Sequence, residues 1–134
     1  MIVAHSNAIL SQWETEIADK LGLATSALSG SGQPDRLQFE TDTVEFYTAQ
    51  SLLPRYDRNL ADCYDLVIYD EVHHYSNVDG FGQAITRPTY DAVMGLSATI
   101  GDEQSPKRRK LEDLVAPVVY PYGVEDATEA GMIT

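Results

Sequence analysis

The stretch Leu66-Val-Ile-Tyr69 is apolar, rich in β-formers and too short for a helix. It therefore reads as a buried strand. The residues beyond its end constrain the fold most: Asp70 and Glu71 come where the strand must stop, and His73 and His74 come directly after. Open α/β sheets place ligand chemistry beyond the carboxyl ends of their strands, so a carboxylate pair at such a tip is a candidate site. A second apolar run over 92–96 closes on Ser97-Ala98-Thr99, a small-polar turn in the same kind of position.

The rest of the chain alternates in the same way. Residues 2–4 read as a strand, and His5-Ser6-Asn7 offers caps for a helix over 7–21. There Ile9, Leu10, Trp13, Ile17 and Leu21 recur at helical spacing, and Gly22 is the expected stop. A turn-rich loop spans 29–34, and strands are expected over 36–40 and 43–47. A helix is expected over 50–60, broken or restarted at Pro54. After the 66–69 strand come a loop over 75–82 and short helix 83–86. The 92–96 strand, a helix over 107–115, a strand over 117–122 and a helix over 124–130 complete the series. Strands alternating with helices predict an α/β fold with a parallel sheet flanked by helices.

Composition narrows the class. With 134 residues there is room for one domain and one core, and 43% apolar content suits a folded globule. No apolar run approaches the ~20 residues of a membrane span, and Met1-Ile-Val-Ala-His has no signal-peptide pattern. A cytoplasmic address is expected, with no membrane partner. The one cysteine, Cys63, excludes an internal disulfide. His5, Cys63, His73 and His74 lack paired zinc-ligand spacing, so a zinc site is not expected. The net charge of −12, spread along the chain with only nine Lys and Arg, reads as a halophilic surface or as that of an ordinary acidic protein. Four of those nine form the run Lys107-Arg108-Arg109-Lys110, which reads as a solvated helix face or a phosphate contact.

The order strand–Asp-Glu-x-His, then strand–Ser-Ala-Thr, resembles motifs II and III of the superfamily 2 DEAD/DEAH (DExH) helicases and translocases. Ile2-Val-Ala-His-Ser6 with Leu10 and Gln12-Trp13 is similar to motif Ia, with the usual proline replaced by His5. Thr48-Ala-Gln-Ser-Leu52 is similar to motif Ib. The Gln-Trp pair and the tail 116–122 lean toward the branch of excision-repair helicases and restriction-enzyme motor subunits. The resemblance implies a RecA-like motor domain 1 over 1–134, with ATP and Mg²⁺ as cofactors and nucleic acid as partner, DNA favoured over RNA. It implies that Asp70 holds Mg²⁺ through water and that Glu71 orients and deprotonates the attacking water. His73, Ser97 and Thr99 would couple the nucleotide site to the bound strand, which Ser6, Gln50 and Ser51 would contact through its backbone.

One family feature is not found among these residues. No Gly-x-x-x-x-Gly-Lys segment occurs; Lys20, Lys107 and Lys110 are the only lysines, and none comes after a glycine. The expectation is therefore an incomplete RecA-like sheet, its first strand and Walker A segment missing, with an unpaired strand edge and exposed apolar surface. The second RecA-like domain is also missing. Such a piece contributes the hydrolysis motif and part of the strand-binding face of a helicase but is not active alone. The alternative from another class is a non-enzymatic nucleic-acid or protein interaction module on a degenerate helicase scaffold.

Overall fold

The computed structural model describes residues 1–21, 35–39, 42–57, 63–77 and 79–132. Five strands form one sheet in the order β2-β3-β1-β4-β5, with β1 Ile2–Ala4, β2 Asp35–Phe39, β3 Asp42–Thr48, β4 Cys63–Tyr69 and β5 Thr89–Gly95. β3, β1, β4 and β5 are mutually parallel, and β2 adds antiparallel to the outer edge of β3. Helices α1 (Asn7–Leu21), α2 (Ala49–Asp57), α3 (Gln83–Thr86), α4 (Pro106–Leu114) and α5 (Val124–Glu129) connect or succeed them. The α/β fold with a helix-flanked parallel sheet, expected from the alternation of elements, is the fold observed.

Strand periodicity splits the apolar residues into two cores. Val3, Tyr47, Val67 and Tyr69 face one side, where Leu52 of α2, Ala84 and Ile85 of α3, and Leu111 of α4 cover them. Ile2, Ala4 and Phe46 face the other and pack with Leu10 and Ala18 of α1. The Tyr69 hydroxyl is buried but donates to the Ala84 carbonyl at 2.7 Å, so the largest buried side chain of β4 carries no orphaned donor. β5 pairs only with β4 among the described residues, and Leu66 and Met94 beside that edge are 40% and 48% exposed. A parallel strand is ordinarily covered on both faces, so this edge is unusually open.

Several expectations are adjusted. β4 and β5 begin three residues earlier than the apolar runs at 66 and 92, because backbone pairing extends through the polar residues of each strand. Pro54 lies inside α2 without ending it among the described residues. The segment 72–75 forms a 3₁₀ turn, an element the sequence reading does not include. No strand forms over 117–122: these residues have no partner strand, and exposed Tyr120 and Tyr122 stack on each other at 6.1 Å. β-propensity alone does not make a strand; the segment must also lie along a sheet edge and pair with it. The Gly22 stop, the 29–34 loop and the end of the predicted 50–60 helix lie outside the described residues. No helix among the described residues is long and apolar enough to cross a membrane.

Leu52 is 1% exposed in the larger core. Leu52→Ala is expected to lower unfolding free energy by about 2–5 kcal/mol through lost transfer energy and a residual cavity. Urea unfolding checks this, with an unchanged slope against denaturant.

Candidate active site

Parallel pairing in register brings the carboxyl ends of four strands to one edge of the sheet. Ala4 pairs with Thr48, Val3 with Tyr69, and Tyr69 with Gly95. Each strand therefore delivers its next turn to the same edge: Ser6 after β1, Gln50 and Ser51 after β3, Asp70 and Glu71 after β4, Ser97 and Thr99 after β5. Adjacent strands are separated by about 4.8 Å. Backbone bonds continue past the strand ends and fix the turns, from Asp70 N–H to the Val3 carbonyl at 2.9 Å and from Val72 N–H to the Leu96 carbonyl at 2.8 Å.

At the centre, Asp70 accepts two hydrogen bonds. Its Oδ1 takes the Glu71 backbone N–H at 2.8 Å, and its Oδ2 takes the Trp13 indole Nε1–H at 2.7 Å. Glu71 has φ 50° and ψ 49°, the one non-glycine residue with positive φ among those described. A left-handed conformation costs an L-residue roughly 1–2 kcal/mol, and such strain gathers at functional sites. Here the strain turns the chain sharply out of β4 into the 3₁₀ turn. It sets the Glu71 carboxylate beside His73, with Oε2 and Nδ1 3.2 Å apart. That Oε2 is buried and has no partner in hydrogen-bonding geometry.

His73 joins the two strand ends. Its Nδ1 lies 2.8 Å from Ser97 Oγ and 3.5 Å from Thr99 Oγ1, donor or acceptor according to tautomer. Ser97 Oγ also accepts the Thr99 backbone N–H at 3.1 Å, which holds the Ser-Ala-Thr turn closed. The fold thus brings Glu71, His73, Ser97 and Thr99 into one cluster, with Asp70 attached through the backbone of Glu71. Ser6, Gln50 and Ser51 stand apart, toward the β1 and β3 side of the same edge. Gln50 is exposed, whereas the Ser51 hydroxyl already donates to the Thr48 carbonyl at 3.0 Å. Thr48 in turn caps α2, its Oγ1 accepting from the Ser51 N–H at 3.2 Å.

Mg²⁺ retains several waters and takes only one or two carboxylates where phosphates share the coordination. Asp70 fits that demand, since its two accepted bonds leave lone pairs free. No cluster of three or more His, Cys, Asp or Glu able to hold a metal occurs among the described residues. A metal at Asp70 would thus draw most of its ligands from water and phosphate. Glu71 Oε2 is buried beside His73 Nδ1 at 3.2 Å and makes no hydrogen bond.

Two features escape sequence reasoning. Trp13 reaches Asp70 across 57 positions, and its only signal is membership in the Gln12-Trp13 pair. His5 and His73 flank His74 with ring centroids at 4.3 and 4.2 Å. Desolvation lowers the His74 pKa below the usual histidine value of 6.5, reinforced by His73, His5 and Lys107 against an opposing effect of Glu71.

Replacing Glu71 by Gly or Asn, which tolerate the left-handed region, is expected to stabilise the fold by up to about 1 kcal/mol. Thermal unfolding of both variants beside the parent checks this; a loss of stability in both would show that no strain is stored there. The His74 shift also fixes a sign. The unfolded chain protonates near the ordinary 6.5 while the folded chain resists, so stability present above that pH declines as pH falls through the folded value. His74→Gln is expected to flatten that part of the pH–stability curve.

A family model described as type III restriction enzyme, res subunit, matches residues 1–102. The match takes in β1 through β5 and the whole Asp70–Thr99 cluster; α4 and α5 lie beyond it. A comparison with curated proteins gives no match. With the greater part of its length and all of its parallel sheet inside that match, the chain belongs to the type III restriction enzyme res subunit family, within the superfamily 2 helicase and translocase motor domains.

Proposed function

We propose that residues 1–134 form the hydrolysis and strand-binding part of motor domain 1 of an ATP-dependent translocase acting on nucleic acid. The observation that carries this reading is the His73–Ser97 contact at 2.8 Å. It ties the turn bearing Asp70 and Glu71 to the turn after the neighbouring strand, as a motor needs if nucleotide state is to reach the bound strand. The restriction-enzyme description of the family favours DNA over RNA and the restriction-enzyme motor branch over other DExH branches.

In this reading Asp70 is the protein's ligand to Mg²⁺, reached through water. An ion held there would supply charge neutralisation for the phosphates. The Glu71 carboxylate accepts a hydrogen bond from the attacking water, aligns it on the γ-phosphorus and takes its proton as the bond from the γ-phosphorus to the β–γ bridging oxygen breaks. His73 senses that change through Glu71 at 3.2 Å and passes it to Ser97 and Thr99. Ser6, Gln50 and Ser51 meet the strand through its phosphates, which gives affinity without sequence preference. The Ser51 hydroxyl must give up its bond to Thr48 to do so, and Gln50 is the freer of the two.

The phosphate-cradling Gly-Lys segment is supplied from outside residues 1–134, since none occurs within them. A second reading, an interaction module that binds nucleic acid without turnover, is favoured by that same observation. Two measurements separate them. In a protein joining these residues to a Gly-Lys-Thr loop and a second motor domain, Glu71→Gln is expected to lower ATP turnover at least about 100-fold. Nucleotide and DNA affinity should be retained. Turnover unaffected by Glu71→Gln would remove Glu71 from the reaction, and DNA binding indifferent to ATP would favour the module.

A further inference from the structure

The Trp13–Asp70 hydrogen bond is not explained by packing alone. Trp13 is the chain's one tryptophan and sits half-buried on α1, one turn beyond Ile9. A cavity of about 560 Å³ opens along this face of α1, walled by Ile9, Trp13, Ile17 and Leu21 and reaching Asp70. An indole facing such an apolar cavity could satisfy its body without directing its N–H anywhere in particular. Instead the N–H meets the carboxylate at 2.7 Å, the short distance of a charge-assisted bond.

The consequence lies in the geometry of the carboxylate. A carboxylate at a strand tip held by one bond can rotate about its Cβ–Cγ axis. Asp70 is held at both oxygens, by the Glu71 N–H on Oδ1 and by Trp13 on Oδ2. The first bond belongs to its own turn, and only the second comes from another element. α1 begins immediately after Ser6, at the same sheet edge. We infer that Trp13 is a positioning residue for Asp70. It locks the carboxylate plane toward the ion and makes that orientation depend on α1, whose N-terminus carries the strand-contacting Ser6. This rests on the reading of Asp70 as the metal-holding group. Groups that orient a metal ligand from outside the coordination sphere commonly govern affinity, and their loss costs about tenfold or more.

Nuclear magnetic resonance of the ¹⁵N-labelled 134-residue chain tests the two parts separately. Trp13 gives a single indole cross-peak, and Asp70→Asn is expected to move it upfield as the charged acceptor is lost. An indole resonance unmoved by Asp70→Asn overturns the proposal, and this measurement needs no change at Trp13 itself. Mn²⁺, taken as a paramagnetic stand-in for Mg²⁺, is then titrated while the Glu71 amide is watched. Half-broadening is expected to need about tenfold more Mn²⁺ in Trp13→Phe, which keeps the ring and removes the donor. Partial recovery is expected in Trp13→His, which restores a ring N–H. Equal Mn²⁺ requirement in the parent and in a folded Trp13→Phe also overturns it, leaving Trp13 as packing. Broadening that survives Asp70→Asn sinks the metal reading of Asp70 instead, while the indole shift still decides whether Trp13 holds the carboxylate.

Discussion

The three residues of β1 are hydrogen-bonded along both edges, to β3 on one side and β4 on the other, and the rest of the structure takes its position from that pairing. Ile2, Val3 and Ala4 are all buried, and the Met1 nitrogen extends the ladder with a bond to the Leu66 carbonyl at 2.8 Å. Because the strands on either side run parallel to β1, their ends are level. A level set of strand ends is what allows residues as far apart in sequence as Ser6, Gln50, Asp70 and Ser97 to share one edge. An antiparallel pairing would have sent alternate turns to opposite ends.

On that level edge the chemistry is concentrated by one strained residue. Glu71 in the left-handed region turns the backbone so tightly that His73, two positions on, returns to within 3.2 Å of the Glu71 carboxylate. Neither a continued strand nor a regular helix from Asp70 would bring these groups together while also giving Val72 N–H its bond to Leu96. The surrounding structure holds the conformation through that bond, through buried Val72 and Tyr75, and through the His73–Ser97 contact. The result is one nitrogen, Nδ1 of His73, facing a carboxylate and two hydroxyls.

Charge distribution gives the edge its second character. The chain carries 21 acids against nine bases. The basic run begins α4, where Ser105 caps the helix by accepting the Arg108 N–H at 3.1 Å and Arg108 pairs with Glu112 at 3.0 Å. That cap and the i,i+4 pair offset the unfavourable placement of cations at a helix N-terminus. Lys107 at that end is close enough to act on His74, so α4 delivers positive charge to the side of the site where the histidines stack. An acidic protein thus keeps one of its few basic groups beside its candidate site.

Much of this is legible in the order of residues alone. The apolar run 66–69 ending in Asp70-Glu71, and the run 92–96 ending in Ser97-Ala98-Thr99, mark two strands and the residues at their tips, because run length and β-forming composition distinguish a short buried strand from a helix. The alternation of strands with helices carries their parallel sense. The 117–122 segment fails for the complementary reason: its residues favour strands, but a strand exists only where the chain is laid against a partner edge, and propensity carries no information about that. The sequence by itself determined which residue types stand at the strand ends. Only the tertiary structure decided that Glu71 is left-handed, that Trp13 grips Asp70, and that His73 meets Ser97. Each of those depends on contacts between elements distant along the chain, and local pattern sets which elements form but not the distance at which their side chains meet.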